Sequence, residues 1–239
     1  MVSPLLLKLQ KHDQLSPDEQ RVVEDLRSGV ISFRPNDEIV REGDRPSFSS
    51  IVLNGWAGRV KTLPDGRRSI LALHLSGDFV DLHSLLLRPM DHSVIALTAC
   101  KIAKVPHDQL REVTERYPHL TRLLWLDTLV DAAIHREWMV GLGRRAAAAH
   151  LAHLLCELFL RCQAVSLTRG MVFDFPLSQP VLADVLGLSA VHVNRSLQEL
   201  RQERLLTLEA GRLEILDWER LADRAAFDPA YLNMSIEPR

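Results

Sequence analysis

Residues 177–201 have the sequence LSQPVLADVLGLSAVHVNRSLQELR, and this stretch decides the fold of the C-terminal part of the chain. Ser178 is placed to cap a helix that tolerates Pro180 in its first turn. Gly187 can take the left-handed conformation that ends such a helix, and Ser189 is placed to cap a second one. The stretch therefore predicts two helices joined by a short turn.

The apolar residues of this stretch are spaced so that the two predicted helices can pack against each other. The predicted inner positions are Leu182, Ala183, Val185, Leu186, Leu188, Val193, Leu197 and Leu200. Ala183 is small enough to let the helices cross closely. This is the pattern of a helix-turn-helix, whose second helix lies in the major groove of DNA.

The outer face of the second helix carries side chains that suit contact with DNA. Arginine can pair with guanine, asparagine or glutamine with adenine, and alanine or valine can touch a thymine methyl group. The candidate DNA-binding residues are Ser178, Gln179, Ser189, Ala190, Val191, His192, Asn194, Arg195, Gln198 and Arg201. The alternative is a helical hairpin whose polar face is only solvated.

Strand-like segments flank this motif. Residues 205–208 and 211–215 predict a hairpin after the second helix, which is typical of a winged helix, and residues 168–175 predict a further strand or wing segment. Residues 139–206 contain seven arginines and no lysine against five acidic residues, although the formal net charge of the chain is −2. A local basic region of this kind is what DNA binding requires.

A long helix is predicted to begin at Pro118 and to end at the Gly141–Gly143 break, followed by a second helix from Arg144 to about Cys162. Its apolar stripe is wide enough for one edge to cover a neighbouring domain and the other to pack on a second copy of the chain. The residues proposed for that dimer seam are Leu120, Leu123, Val130 and Ile134. The alternative is an ordinary core helix. Asp127 lies within the stripe and needs a partner.

Residues 30–105 have a different sequence pattern, with short β-rich runs separated by glycine turns. The runs are 50–53, 59–63, 69–75 and 94–98, and the glycines at 43, 55, 66 and 77 are almost evenly spaced. This spacing predicts an all-β sandwich or barrel. A capping box at Ser16–Glu19 predicts a helix before it, and His107–Arg116 a helix after it.

The order of these parts resembles the cyclic-AMP receptor protein / FNR (Crp/Fnr) family of bacterial transcription regulators. The most specific pieces are Gly77-Asp78-Phe79 followed by Thr98-Ala99-Cys100 in the β region, and Leu186-Gly-Leu-Ser189 with Val193-Asn-Arg195 in the helical motif. The resemblance covers nearly the whole chain and implies a DNA-binding regulator, not an enzyme.

The resemblance implies an α+β fold in three parts. These are a cyclic-nucleotide-binding-like jelly roll or β-roll over residues 1–115, a long dimerisation helix over 116–142, and a winged helix-turn-helix over 143–239. It also implies a homodimer on a two-fold symmetric operator, with RNA polymerase as a further partner and a small-molecule effector as a possible one.

The β-roll departs from the nucleotide-binding members of the family. Leu82 stands where those members hold the ribose with a glutamate, and Met90, followed by Asp91, stands where they hold the phosphate with an arginine. A buried cyclic phosphate needs a cation or several N–H donors, so we expect no binding of cyclic AMP in the usual way, although Arg88 could substitute. The candidate ligand pocket comprises Asp81, Leu82, His83, Arg88, Asp91 and His92.

The second helix of the motif departs as well. Arg195 matches the arginine of the family pattern, but Val191 stands where a glutamate reads DNA and Ala190 where a second arginine can sit. Glutamate accepts from cytosine N4 and valine cannot. We expect the operator half-site to differ from the usual family sequence.

Metal and cofactor sites are not expected. A four-cysteine iron–sulfur cluster cannot be built in one subunit from three cysteines, none of which precedes Cys100. A haem ligand could be proposed among His74, His83 and His92, and a metal clip from His150, His153 and Cys156. Lone histidines of this kind are more often structural, and ligands at successive i, i+3 positions converge poorly.

Two rival functions remain open. Asp78, Asp81, His83, Asp91 and His92 are close in sequence and could bind a metal in a cupin-like enzyme, but no His-x-His pair occurs. The other rival is a constitutive DNA-binding protein without an effector. Residues 1–10 are too short an apolar segment for a signal peptide and no apolar run is long enough to span a membrane, so we expect a cytoplasmic protein.

Overall fold

The structure is a computed structural model that describes residues 2–27 and 29–238. The helices are α1 (Pro4–Leu9), α2 (Pro17–Asp25), α3 (His107–Arg116), α4 (Pro118–Arg144), α5 (Ala147–Ala164), α6 (Gln179–Leu186), α7 (Ala190–Gln202) and α8 (Trp218–Ala225). The strands are β1 (Val30–Phe33), β2 (Glu38–Val40), β3 (Phe48–Asn54), β4 (Ala57–Thr62), β5 (Arg68–His74), β6 (Ser93–Ala96), β7 (Cys100–Pro106), β8 (Thr168–Arg169), β9 (Val172–Asp174), β10 (Leu206–Glu209) and β11 (Arg212–Ile215). Two short 3₁₀ helices lie at Leu82–Leu85 and Pro229–Leu232.

The chain divides into two compact units, Met1–Ala132 with Asn233–Arg239, and Ala133–Leu232. The division falls within α4. The last residues belong to the first unit because His12 holds them there: its Nδ1 lies 2.8 Å from the carbonyl oxygen of Asn233, and its own carbonyl accepts from the backbone N–H of Glu237.

The first unit contains the predicted β-roll, built from two antiparallel sheets. One has the strand order β1-β7-β3 and the other β2-β6-β4-β5. Alternate residues of β3 point to opposite faces, so Val52 lies in the core between the sheets while Ile51 packs with apolar residues of the surrounding helices. The sequence predicted the runs of β3 to β6 but missed β1, β2 and β7, whose apolar alternation is weak or short.

The turn between β3 and β4 requires glycine at the position the sequence indicated. Gly55 has a φ of 92°, and a Cβ atom built on it would lie 2.4 Å from the carbonyl oxygen of Ala99. Both the backbone conformation and the close approach exclude a side chain. Gly55 therefore fixes the turn between β3 and β4, which join different sheets and do not form a hairpin.

Asp127 has the partner that its place in the apolar stripe demanded. The Lys8 ammonium of α1 lies 2.5 Å from Asp127 Oδ1 and 2.7 Å from Asp78 Oδ1, and all three side chains are largely buried. Asp78 also accepts from the backbone N–H of Leu75. One cation thus joins α1, the β-roll and α4.

The long helix differs from its prediction in which residues face outward. Leu120, Leu123, Val130 and Ile134 are buried within their own chain, so they are not available to a partner. Leu120 and Leu123 belong to the core cluster under β3 and β7. The apolar side chains that α4 exposes are Trp125, Leu129, Met139, Val140 and Leu142.

Helix α4 also continues to Arg144 instead of ending near Gly141. Glycine lowers helix stability by about 1 kcal/mol but does not forbid the conformation. Gly141 is there for a steric reason, because a Cβ on it would lie 2.4 Å from Nε2 of the buried His150 on α5. Gly143 has no atom within 4 Å of its Cβ position.

Substitution by alanine should change the free energy of unfolding in opposite directions at these two glycines. Gly141→Ala overpacks the contact with His150 and should lower the free energy of unfolding by about 1–3 kcal/mol. Gly143→Ala should leave it unchanged or raise it by up to about 1 kcal/mol, through helix propensity alone. Chemical denaturation of both variants checks this, and equal effects of the two would disprove the steric role of Gly141.

The second unit is built on α5, which begins at Ala147 rather than at the predicted Arg144. Within it, the buried Glu157 accepts from Trp138 Nε1, Arg161 and Tyr231 Oη at 3.0 Å each, so its charge is fully partnered. The four strands of this unit form one antiparallel sheet of order β10-β11-β9-β8. None of the described residues forms a helix long and apolar enough to cross a bilayer.

Candidate nucleic-acid interface

The helix-turn-helix forms where residues 177–201 predicted it, and the cap residues act as expected. Ser178 Oγ accepts from the backbone N–H of Val181, and Ser189 Oγ accepts from that of His192 at 3.3 Å. Gly187 has a φ of 62° and ends α6. The turn is therefore fixed by backbone contacts at both helix ends.

The inner faces of α6 and α7 pack as predicted, with one addition. The buried residues are Leu182, Val185, Leu186, Val193, Ser196, Leu197 and Leu200. Ser196 was not predicted, because a serine on a helix gives no sequence signal for burial. Ala183 and Leu188 are only half-buried.

The predicted reading face of α7 is open to solvent. Ala190, Val191, His192, Asn194, Arg195 and Gln198 are all exposed, as are Ser178 and Ser189, whereas Gln179 and Arg201 are half-buried. Val191 is 77% exposed. We call the six exposed α7 residues the reading face.

Arg201 makes a contact that the sequence did not suggest. Its guanidinium donates to the backbone carbonyl of Leu208 in β10. This bond joins the end of α7 to the first strand of the hairpin that follows. Arg201 therefore holds the hairpin against the helix, whatever else it touches.

The predicted wing is the hairpin of β10 and β11. Leu206 pairs with Ile215 and Glu209 with Arg212, and the turn residues Ala210 and Gly211 both have positive φ angles, of 48° and 76°. Two successive positive φ angles are typical of the tight turns that match the twist of a hairpin.

Arginines of helix α8 contact acidic residues at the C-terminal half of α7. Arg224 pairs with Glu199 and lies 3.4 Å from Glu203, and Arg220 donates to the carbonyl oxygen of Glu203 at 3.3 Å. The acidic residues of α7 are thereby neutralised by arginines of the same unit. These pairs were not predictable from local pattern, because they join residues about 20 positions apart.

The start of α5 lies beside the reading face. Ala146, Ala147 and Ala148 line a depression of about 200 Å³ together with His192 and Arg195. No side chain caps the first turn of α5, so its backbone N–H groups remain available. An uncapped helix N-terminus attracts anions such as phosphate.

Two family comparisons divide the chain in the same way as the structure. Residues 30–117 match the cyclic nucleotide-binding domain family, and residues 149–224 match the Crp-like helix-turn-helix domain family. The transcriptional activator protein FnrL of Cereibacter sphaeroides is 31% identical over 201 residues, which cover 82% of this chain and 80% of FnrL. The chain belongs to the Crp/Fnr family of transcription regulators.

Other Crp/Fnr members agree. The nitrogen fixation regulation protein FixK of Bradyrhizobium diazoefficiens is 30% identical over 197 residues, covering 82% of this chain and 81% of FixK. The solved structure of FixK2 from Bradyrhizobium japonicum superposes with a TM-score of 0.69 at 25% identity, covering 82% of this chain and 96% of that one. The predicted family, the α+β fold class and the assignment as a regulator rather than an enzyme are thus confirmed.

The candidate ligand residues of the Crp/Fnr β-roll separate into different environments. Asp81 is fully buried, and its carboxylate accepts from the backbone N–H and the Oγ of Ser50, so it is a structural residue. Burial raises its pKa to about 6. Leu82 packs on the core under β3 and β7, and Arg88 is exposed.

The other three candidate ligand residues, His83, Asp91 and His92, lie close together. One ligand-type atom from each of His83, Asp91 and His92 lies within 4.8 Å of the other two. His92 Nδ1 lies 2.7 Å from Asp91 Oδ1, and the rings of His83 and His92 have centroids 5.1 Å apart. Burial lowers the pKa of both imidazoles, that of His83 to about 4, so both are neutral at neutral pH.

A buried arginine that the sequence did not predict lies beside His83 and His92. Arg59 of β4 is 9% exposed, and its Nη1 lies 3.0 Å from Asp131 Oδ2 of α4. It also donates to the carbonyl oxygen of Val80 at 3.4 Å. Its positive charge contributes to the lowered pKa of His83 and His92. A single arginine in a strand gives no sequence signal that it points inward.

The residues present do not fit a cyclic nucleotide held in the way of the nucleotide-binding Crp/Fnr members. Met90, at the position that resembles the phosphate-binding arginine, is a buried apolar side chain. Leu82 offers no acceptor for a ribose, and the buried Arg59 is already paired with Asp131.

The cysteines do not fit an iron–sulfur cluster of the FNR type. Cys100, Cys156 and Cys162 are buried and form no disulfide, and burial raises the pKa of Cys156 to about 12. The metal site that the sequence offered on α5, from His150, His153 and Cys156, does not form either. His153 stacks on Tyr231 with ring centroids 5.8 Å apart, so its place in the core is explained by packing.

Proposed function

We propose that this chain acts as a homodimer that binds a two-fold symmetric operator in the bacterial cytoplasm, each protomer reading one half-site through α7. The observation that carries the proposal is the reading face. Its six side chains, both polar and apolar, are exposed, whereas the opposite face of α7 is buried in the helix-turn-helix core. In a helix-turn-helix that face lies in the major groove.

The reading face favours a particular division of roles. Arg195 can pair with guanine and Asn194 or Gln198 with adenine, while the exposed Val191 suits a thymine methyl group. Because Val191 replaces the glutamate of the usual pattern, the half-site is expected to lack the cytosine contact that glutamate makes. His192 and the uncapped start of α5 are placed to contact the adjacent phosphates.

The dimer seam of the proposal lies on the exposed apolar side chains of α4. Trp125 is 66% and Leu129 52% exposed, and the two lie one helical turn apart on the same side of the helix. Large exposed apolar side chains in a row mark a surface that another protein covers. The occupant we propose is the same helix of a second copy, since Crp/Fnr regulators act as dimers.

We further infer that the protein activates transcription through RNA polymerase and does not respond to cyclic AMP in the usual way. FnrL is named a transcriptional activator, which supports the first inference. The misfit of Leu82 and Met90 supports the second. The alternative is a regulator without any effector, and a thermal shift against nucleotides and small metabolites separates a regulator that binds an effector from one that binds none.

Arg195→Ala tests the reading face. Loss of a bidentate contact to guanine should weaken operator binding by about 1–3 kcal/mol and relax the preference at one base of each half-site. Arg169→Ala, which removes the same charge from an exposed position of the same unit, should keep the sequence preference intact. Fluorescence anisotropy against operator duplexes with single-base changes measures both.

Unchanged affinity and unchanged preference in Arg195→Ala would remove α7 from its proposed role. A loss that is equal for every duplex would reduce Arg195 to a phosphate contact.

A further inference from the structure

We propose that His83 and His92 bind a divalent transition metal ion of the Zn²⁺ class through Nε2, one ion per chain in the β-roll, with Asp91 orienting the His92 ring. Among residues 2–27 and 29–238, these form the one group of three such side chains whose ligand atoms lie within 4.8 Å of each other. The proposal concerns the first unit and does not depend on DNA binding.

Two unsatisfied nitrogens carry the proposal. The Nε2 atoms of His83 and His92 are buried and have no hydrogen-bond partner among the described residues. His92 as a whole is 5% exposed. A buried polar atom without a partner destabilises the fold, and a metal ion between the two rings would satisfy both nitrogens at once.

The orientation of His92 is the one that metal ligands have. Its Nδ1 donates to Asp91 Oδ1 at 2.7 Å, which leaves the lone pair on Nε2. Histidine ligands almost always donate their other ring N–H to a carboxylate or carbonyl, because this fixes the tautomer and the ring.

The donor set points to a borderline ion with a free coordination position. Two imidazoles suit Zn²⁺ and its neighbours, at bond lengths of about 2.0–2.1 Å, and water can complete the coordination. The Asp91 carboxylate stays on Nδ1 of His92, on the side of the ring away from Nε2, and acts on the metal through that ring.

The surrounding charges allow a cation. Arg59 faces the group, but its charge is offset by Asp131 at 3.0 Å, and Asp91 adds a further negative charge. The sequence offered His83, Asp91 and His92 as a metal site only within a cupin-like enzyme, for which a His-x-His pair is lacking. The fold supplies the missing proximity, since His83 lies on the 3₁₀ helix Leu82–Leu85 and His92 immediately precedes β6.

The test is a titration of the full chain, freed of metal by chelation, with Zn²⁺ by calorimetry and with Co²⁺ by visible absorption. We expect one ion per chain and a Co²⁺ spectrum with d–d bands but no thiolate charge-transfer band. His83→Gln with His92→Gln should lower the affinity more than about 100-fold, and Asp91→Asn about 10–100-fold. His135→Gln, a histidine outside the group, should leave it unchanged.

Circular dichroism of each variant establishes that it is folded. The wild-type spectrum decides the question even if the double variant does not fold, since a thiolate band would place the ion on cysteines and overturn the site. Absence of binding to the wild type, or binding by the folded double variant with unchanged affinity, would also overturn it. Unchanged affinity in Asp91→Asn would remove Asp91 from the site.

Discussion

Lys8→Met is expected to lower the free energy of unfolding of the first unit by about 3 kcal/mol. The ammonium of Lys8 lies between Asp78 and Asp127 at 2.7 and 2.5 Å, and methionine keeps the volume but removes the charge. Two carboxylates then remain buried without a cation. We take the lower end of the cost of breaking a buried pair, because 21% of the Lys8 side chain is exposed.

The pH dependence of this variant follows from the carboxylates. Burial raises the pKa of Asp127 above its ordinary value even beside Lys8, and the Asp78 charge raises it further. A carboxyl group whose pKa is higher in the folded state binds its proton more readily there, so lowering the pH favours folding. The loss of stability in Lys8→Met should therefore be smaller near pH 5 than near pH 8. In the wild type, the raised pKa of Lys8 keeps the ion pairs intact up to strongly alkaline pH.

Lys11→Met is the matched control, because Lys11 is exposed and three residues away. It should change the free energy of unfolding by less than about 0.5 kcal/mol. Urea denaturation of both variants at the two pH values gives the comparison. Equal stabilities of Lys8→Met and Lys11→Met would show that the three buried charges are not coupled in the way the distances imply.

Leu129→Glu is expected to convert the dimer to a monomer and to weaken binding to a symmetric operator by about 100-fold or more. A glutamate placed at the centre of the proposed seam would meet its own copy across the two-fold axis, and two like charges would have to be buried together. Each monomer could then bind only one half-site, and the gain from joint binding would be lost. Glutamate is a good helix former, so α4 itself should persist.

Leu86→Glu is the control for this prediction. Leu86 is 84% exposed in the loop after the 3₁₀ helix, and the same substitution there should leave both the dimer and the operator affinity unchanged. Analytical ultracentrifugation and anisotropy with a symmetric duplex measure the two properties. A dimeric Leu129→Glu protein with full operator affinity would place the seam elsewhere.

The sequence was most informative where local chemistry decides the structure. The caps at Ser178 and Ser189 and the left-handed Gly187 were all predictable, because each acts on backbone atoms within a few residues. The same reasoning foresaw the turn at Gly55 and the need of Asp127 for a partner, but it could not name Lys8, which is more than 100 residues away.

The sequence was least informative where distant residues meet. The residues predicted for the dimer seam are buried in the chain itself, because the spacing of an apolar stripe does not show which of its edges packs on the protein's own core. Leu120 and Leu123 proved to lie in that core, while Trp125 and Leu129 are exposed. The Arg59–Asp131 pair and the closeness of His83 to His92 arise only from the folding of the β-roll.

Selection of bound DNA from random duplexes, with the full-length wild-type protein, tests the central proposal most directly. We predict two inverted copies of one half-site, whose centres lie about 10–10.5 base pairs apart or at a multiple of that distance. We also predict that the half-site differs from the usual family sequence, because Val191 replaces the glutamate of that pattern. Enrichment of a single unpaired half-site, or no enrichment at all, would contradict a dimer that reads DNA through α7.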